Sequence, residues 1–300
     1  MPRTHKNYKL LTQEEQVLQN PDMFVGKTDS AKWIFLRHGK NCEKNVVPAC
    51  WKLFDELIVN VQDVYEKNRA NPQEQNVSNV WITVDWEKGI VTVKNDGTGV
   101  PIETHEQASR ALKTTILCPE LVWFHFGSGD NFEADRDVGG KNGYGAKLCG
   151  VFSTKYEVHT CDGKGKSFRM SASNNMKKKS KPVVKSVKQK AFTKVSYTVD
   201  ITRFTVDGAP IVHVNEDTLW AMEQRIQDLA NFMPDVRVKY NGNRVKGKPP
   251  KQLAKDAVGD VLFFTQTEST YVAVAERKET DGSGCVSFVN GTFNLSLIHI

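Results

Sequence analysis

Glu56 and Asn60 stand four residues apart in "CWKLFDELIVN". On a helix, residues at that spacing are neighbours on one face. A carboxylate there can take a proton from water, and an amide oxygen beside it can ligate a hard cation such as Mg²⁺. A solvated outer face of an amphipathic helix reads the same way, and the spacing alone does not separate the two. A second candidate is "NDGTGVP", residues 95–101. Asn95 followed by Gly97 and Gly99 at a strand end makes a turn where backbone can approach a ligand. Its amide offers both a donor and an acceptor, as the edge of a nucleobase requires; an ordinary loop is the alternative. The third is "VGGKNGYGAKLCGVF", residues 138–152, with glycines at 139, 140, 143, 145 and 150. It lacks the G-K-[ST] ending of the nucleotide P-loop. Its G-x-x-G-x-G order at 140, 143 and 145 reverses the dinucleotide fingerprint. Bare backbone N–H groups at a helix start, with Lys147 adding a full charge, suit an anion. A flexible hinge is the competing reading, and Tyr144 between two glycines reads equally as a packing anchor.

These residues need elements to hold them. Pro48 near a helix start and Trp51, Phe54, Ile58, Val61 and Tyr65 at 3.6-residue spacing predict a helix over 47–68. Its polar stripe carries Lys52, Glu56, Asn60 and Asp63. A hairpin follows over 80–86 and 90–94, turning at Lys88-Gly89 and ending at "NDGTG". A helix opens near Ala146. Strands are expected at 155–161, 166–171 and 193–200, an amphipathic helix at 216–232, and strands at 236–240, 260–265, 271–276 and 285–290. Thr12 with Glu15 three residues on is a capping-box signal for a short early helix. Seven lysines fall between 177 and 190. They read as a solvated hairpin tip or as a salt-dependent contact to a DNA backbone. The pattern is α+β, with no internal repeat and a composition boundary at "GKPPKQ", 247–252.

The bulk numbers are compatible with an enzyme that handles phosphates. The chain has 300 residues, is 39% hydrophobic and 25% charged, and carries a net charge of +6. That permits a nucleic-acid or phosphate partner without demanding one. No stretch approaches the roughly 20 apolar residues that span a bilayer, and the N-terminus lacks the apolar core of a signal peptide. Six scattered cysteines with no CxxC pair look like reduced thiols of an intracellular protein, neither a disulfide framework nor a zinc site.

The order of the three motifs adds more than any one of them. E-x-x-x-N on a helix, N-D-G-x-G after a strand and G-G-x-x-G-x-G-x-K opening a helix resemble the GHKL nucleotide-binding fold. That fold is shared by type II topoisomerases, gyrase B subunits, mismatch-repair clamps, ninety-kilodalton heat-shock chaperones and histidine kinases. Longer stretches are similar to the eukaryotic and large-DNA-virus type of DNA topoisomerase II: "KLLTQEEQVLQNPDMFVG", "VVPACWKLFDELIVN", "VKNDGTGVPIETH", "GGKNGYGAKLCGVFST", "FTKVSYTVDITRF" and "SFVNG". The resemblance runs from Leu10 to Asn290. Asn95, where gyrases and the chaperones carry Asp, points to the same branch. Matches outside the ATP motifs, such as "DITRF" and "SFVN", set it apart from repair clamps and chaperones. A truncated or non-catalytic ATP-dependent DNA-binding module of this fold is the alternative function.

The resemblance implies a GHKL (Bergerat) sandwich of a mixed β-sheet and helices, followed by the start of a transducer domain. Implied boundaries are a strap at 1–30, the ATP-binding domain at 31–246 and a partial transducer at 247–300, with "GTFNLSLIHI" unlike the family. The chain is expected to be an N-terminal fragment that stops before the family's Gln-Thr-Lys loop and its DNA-cleaving tyrosine. Glu56 matches the general base that activates the attacking water, and Asn60 the residue that holds Mg²⁺ against ATP. Asn95 matches the adenine contact, with Gly97 and Gly99 in the turn after it. Gly140, Lys141, Asn142, Gly143, Tyr144, Gly145, Ala146 and Lys147 match the loop wrapped around the phosphates, with Lys147 as its cation. Asn131 ends a ribose-and-phosphate contact in which Gly129 and Asp130 replace the usual two serines. The implied partners are double-stranded DNA and a second copy of the chain, joined through the ATPase domains when ATP binds, with no membrane. A cellular protein of this kind would be nuclear; a viral one would work in the host cytoplasm or virus factory.

Overall fold

In the computed structural model, residues 10–37, 40–128, 143–266, 271–275, 287–289 and 292–294 are described. The chain opens with α1 (Gln13–Gln19), whose Thr12 and Glu15 form the expected reciprocal capping box. A hairpin follows, β1 (Ala31–Arg37) paired antiparallel with β2 (Lys40–Val46). The long helix α2 (Pro48–Ala70) has Pro48 in its first turn, where a missing N–H costs nothing. Next come β3 (Asn79–Asp85) and β4 (Ile90–Asp96), then α3 (Glu106–Leu112), α4 (Cys118–Phe124) and α5 (Gly145–Val151). The strands β5 (Ser153–Cys161), β6 (Lys166–Ser173), β7 (Lys178–Lys179), β8 (Val183–Ser186) and β9 (Phe192–Val199) follow. The short pair β10 (Thr205–Val206) and β11 (Ala209–Pro210) precedes α6 (Glu216–Phe232), β12 (Arg237–Tyr240) and β13 (Asn243–Val245). Last are α7 (Pro250–Val258), the hairpin β14 (Val261–Gln266) and β15 (Tyr271–Ala275), and the pair β16 (Ser287–Val289) and β17 (Thr292–Asn294). α7 therefore begins inside the proline-marked composition boundary.

Nine strands make one mixed sheet in the order β13-β12-β3-β4-β9-β5-β6-β7, with β8 also pairing β6. Its β12–β3 pairing is parallel and its other pairings are antiparallel. One face is apolar because the strands alternate: Val80, Ile82 and Val84, then Val91 and Val93, Val195 and Tyr197, Tyr156 and Val158 are all buried. α2 packs against both α5 and α6 and joins the core that covers this face. α2 is mostly apolar because it is wrapped on several sides: Leu53, Phe54, Leu57, Ile58, Val61 and Tyr65 are all buried. Asp55 shares that burial and is paired with Arg225 of α6 at 2.6 Å. The five cysteines at 42, 50, 118, 149 and 161 are free. Among the described residues no helix is long and apolar enough to cross a membrane.

Candidate functional site

α2 presents Glu56 to the start of α5. A Cβ built on Gly145 would lie 2.0 Å from Glu56 Oε2, so any other residue there would displace the carboxylate. Lys52, one turn earlier, reaches Glu56 Oε1 at 2.6 Å and Asp55 Oδ2 at 3.4 Å. Burial pulls the Lys52 ammonium down, but the carboxylates of Glu56 and Asp55 outweigh it and raise its pKa. Asn60, one turn later, is partly buried, and its amide nitrogen is enclosed without a hydrogen-bond partner. Buried polar groups normally find partners, so an unpartnered amide beside a carboxylate is a vacant valence for a ligand. Either its nitrogen or, by a flip, its oxygen can be presented.

The glycine segment begins the next layer. Gly143 has φ +61°, and a Cβ there would stand 2.3 Å from Ser128 O. Two chain segments therefore cross in contact at Gly143, which requires glycine both for space and for conformation. Lys147 secures that crossing: its Nζ donates to Ser128 O at 2.6 Å and to Gly143 O at 2.5 Å. The side chain is buried, and that burial lowers its pKa to about 7. Ala146 is buried in the core. Tyr144 packs between Phe24 and Phe126, with ring centroids 5.9 and 5.3 Å away, so its role as a packing anchor is realised. Gly129, Asp130, Asn131, Gly140, Lys141 and Asn142 lie outside the described residues.

The third group sits at the end of the sheet. Asn95 is buried on the core face of β4, directly opposite Thr193 of β9, which in turn is opposite Thr160 of β5. Two apolar rows of that face thus give way to one polar row, Asn95–Thr193–Thr160. Thr193 and Thr160 share a hydroxyl contact at 3.3 Å. Gly99 runs against this row, since a Cβ on it would be 2.7 Å from Thr193 Oγ1. Gly97 is buried in the turn at φ +95°. α2 fixes the turn as well: Asn68 Nδ2 donates to Gln75 O at 2.8 Å and Thr98 O at 3.1 Å. Asp96 points the other way. Its carboxylate accepts from Ser78 N, Asn79 N and Asn79 Nδ2 at 2.7–2.8 Å, which ties β4 to the start of β3 and keeps a negative charge off the inner face. Thr193 and Thr160 are the residues that motif spacing missed. The available signal was phase: in "FTKVSYTV" Thr193 alternates in register with Val195 and Tyr197, a polar residue at a buried position.

Around one helix thus gather a carboxylate beside an unpartnered amide, a buried lysine at a glycine crossing and a polar row on the sheet. Among the described residues there is no cluster of three or more His, Cys, Asp or Glu that could hold a metal ion. A cation held here would take the Asn60 amide oxygen together with oxygens of its own ligand. That fits Mg²⁺, which binds through few protein groups together with substrate phosphates.

Comparison with known proteins gives a consistent picture. No family model matches the chain. DNA topoisomerase 2 of Candida albicans is 32% identical over 250 residues, 80% of this chain. The chain spans 16% of that relative's length. The crystal structure of the ATPase region of Saccharomyces cerevisiae topoisomerase II bound to ICRF-187 (dexrazoxane) superposes with a TM-score of 0.75 at 30% identity. It covers 90% of this chain and 71% of that one. The ATPase and transducer domains of DNA topoisomerase II from Balamuthia mandrillaris share the fold, with a TM-score of 0.83 at 24% identity, covering 97% of this chain and 74% of that one. The α+β fold with its mixed sheet is that of the GHKL ATPases, and this chain belongs to the DNA topoisomerase II family, over that family's ATPase region.

Proposed function

We propose that the chain is the ATP-binding and ATP-hydrolysing clamp region of a type II DNA topoisomerase, an isomerase that passes one DNA duplex through another. The observation that carries this reading is the inner face of α2, where Glu56 is pressed against Gly145 and the buried Asn60 amide nitrogen has no partner. Glu56 acts as the general base, taking a proton from the attacking water. Lys52 holds that carboxylate in place at 2.6 Å. Asn60 would hold Mg²⁺, which supplies neutralisation of triphosphate charge. Asn95 and Thr193 receive the nucleobase on the polar row, with Gly97 and Gly99 leaving room at its edge. Gly143, Tyr144, Gly145, Ala146 and Lys147 form the described part of the phosphate site. Asn131, Gly140, Lys141 and Asn142 complete it by their match to the family, with Gly129 and Asp130 at the two positions where the family carries serines. We further assign residues 1–30 to a strap, 31–246 to the ATPase domain and 247–300 to part of a transducer. The partners are duplex DNA and a second copy of the chain, brought together when ATP binds. The compartment is the nucleus, in keeping with the fungal relative.

Glu56→Ala tests the central assignment. A general base removed from a site that binds by other groups leaves ATP affinity within about threefold, while turnover falls by the 10²–10⁴-fold typical of such a group. Equilibrium binding of a fluorescent ATP analogue and a phosphate-release assay read the two quantities. Loss of nucleotide binding in this variant would remove Glu56 from the role.

A further inference from the structure

The sheet face turned away from the helices carries an arrangement that ATP chemistry does not use. Read across the strands in register, Arg244 stands opposite Lys239, Lys239 opposite Trp81, and Trp81 opposite Lys94. Lys94 stands opposite Lys194, Lys194 opposite His159, and His159 opposite Arg169. The row alternates with the buried positions Val80, Val93, Val195 and Val158, so it lies on the outer face. Five of its seven residues are Lys or Arg. Like charges directly opposite one another weaken a sheet, so a row of them asks for a reason outside the sheet. Lys94 is held over the rings of Trp81 and Phe192, 5.1 and 4.7 Å from their centroids, and Arg169 pairs with Glu157 at 3.2 Å. Lys194, Lys239 and Arg244 are exposed and, among the described residues, none has a carboxylate partner.

The row runs into the lysine-rich edge. β8 pairs β6 with Lys185 opposite Ser167, and Lys178, Lys181 and Lys185 are exposed. From residue 163 to 199 there are eleven Lys or Arg and no Asp or Glu. Removing those eleven from the chain's 41 basic residues leaves 30 against 35 acidic ones, so the positive excess of the molecule sits on this part of the sheet. Seven interstrand steps, from β13 to β8, span about 34 Å at the usual strand spacing, close to one turn of B-form DNA.

We propose that this outer sheet face, from Arg244 to the edge lysines, is a docking surface for the phosphate backbone of duplex DNA, read without regard to sequence. A row of Lys and Arg about one duplex turn long fits a stiff polyanion with regular charge. No Phe, Tyr or Trp occurs from 174 to 190, so the edge offers no stacking platform of the kind that single strands use. Contacts made to the phosphates alone give position and affinity but no sequence preference. The proposal rests on the reading of the chain as part of a DNA-acting enzyme and adds where the duplex lies.

The test is fluorescence anisotropy of a labelled duplex of about two turns with the 300-residue chain across a salt series. Lys194→Glu combined with Lys239→Glu is compared with Lys251→Glu combined with Lys255→Glu, which makes the same charge change on α7. The row variant is expected to lose at least tenfold in affinity at low salt and about two units of the salt slope; the α7 variant stays within threefold of wild type. Lys194→Gln combined with Lys239→Gln serves as the milder version should charge reversal unfold the sheet, and is expected to lose about the same two units of slope with a smaller loss of affinity. Binding of a fluorescent ATP analogue is followed in parallel and remains at the wild-type level in all of them, so a failed docking surface is distinguishable from a failed nucleotide site. Wild-type duplex affinity in the folded row variants overturns the proposal. So does tighter binding of a single strand, of polyglutamate or of phosphatidylserine vesicles than of the duplex at equal charge.

Discussion

Lys147 shows how much one residue's environment adds to its identity. Spacing marked it as the cation of a glycine loop. In the structure its amino group donates to two carbonyls, Ser128 O and Gly143 O, in a buried position that lowers its pKa to about 7. The sign of the pH effect follows from linkage. An unfolded lysine titrates near 10.4, so between about pH 7 and pH 10 the unfolded chain holds a proton that the folded chain has lost. Stability should therefore rise with pH across that window, by on the order of 1 kcal/mol per unit. The cost of the buried charge is present in full below pH 7. Lys147→Met should flatten this rise, which urea melts at pH 7 and pH 9 will measure. Glu56 and Asn60 were legible as neighbours because helical period fixes which residues share a face. The pairing of Glu56 with Gly145 was not, since it joins residues 89 positions apart and depends on how two helices meet.

At the scale of elements, the seam between α2 and α6 holds the helix that carries Glu56 and Asn60 in register. Arg225 is fully buried in α6, donating to Asp55 Oδ1 at 2.6 Å and to Gln62 Oε1 at 2.5 Å. Removing the arginine would leave the buried Asp55 carboxylate with only Lys52, at 3.4 Å, as a cationic partner; a fully broken buried pair costs about 3–5 kcal/mol, and the remaining contact sets the expected loss below that. Arg225→Met is expected to lower the urea midpoint accordingly and to reduce ATP turnover through displacement of Glu56, one residue along from Asp55. Sequence periodicity found both helices, with α6 as observed at Glu216–Phe232 and α2 at Pro48–Ala70 against an expected 47–68. It did not find the charge buried between them, because an arginine at that phase reads as the edge of a polar stripe. The hairpin β1–β2 also escaped notice. Trp33 and Phe35 pack on Trp51 and Trp220, but Ile34 faces outward at 58% exposure and β2 is nearly all polar, so neither strand alternates cleanly. Pairing and aromatic contacts hold it, neither of which a local pattern records.

The whole molecule divides its charge. The α+β class was legible from the succession of helical and strand periods. The sheet order was not, because the parallel β12–β3 pairing joins Val238 to Val80 and is set by packing over α2 and α6. The lysine run was visible in the sequence, but the basic row across the sheet emerges only when seven strands are in register. One consequence belongs to the molecule as a whole. With the positive excess carried by residues 163–199 and the remainder of the chain net acidic, two copies attract each other through these unlike regions at low ionic strength. Surface charges more than about 10 Å apart are screened at 0.1 M salt. Self-association without nucleotide is therefore expected near 0.02 M salt and should be gone by about 0.15 M, where the Debye length is about 8 Å. Excess duplex DNA should abolish it by covering the basic face. The dimer proposed to form with ATP is held by other contacts and should persist at 0.15 M. Sedimentation velocity at both salts, with and without a non-hydrolysable ATP analogue and duplex, separates the two. A low-salt associate that survives saturating duplex would show that the basic face does not hold the copies together.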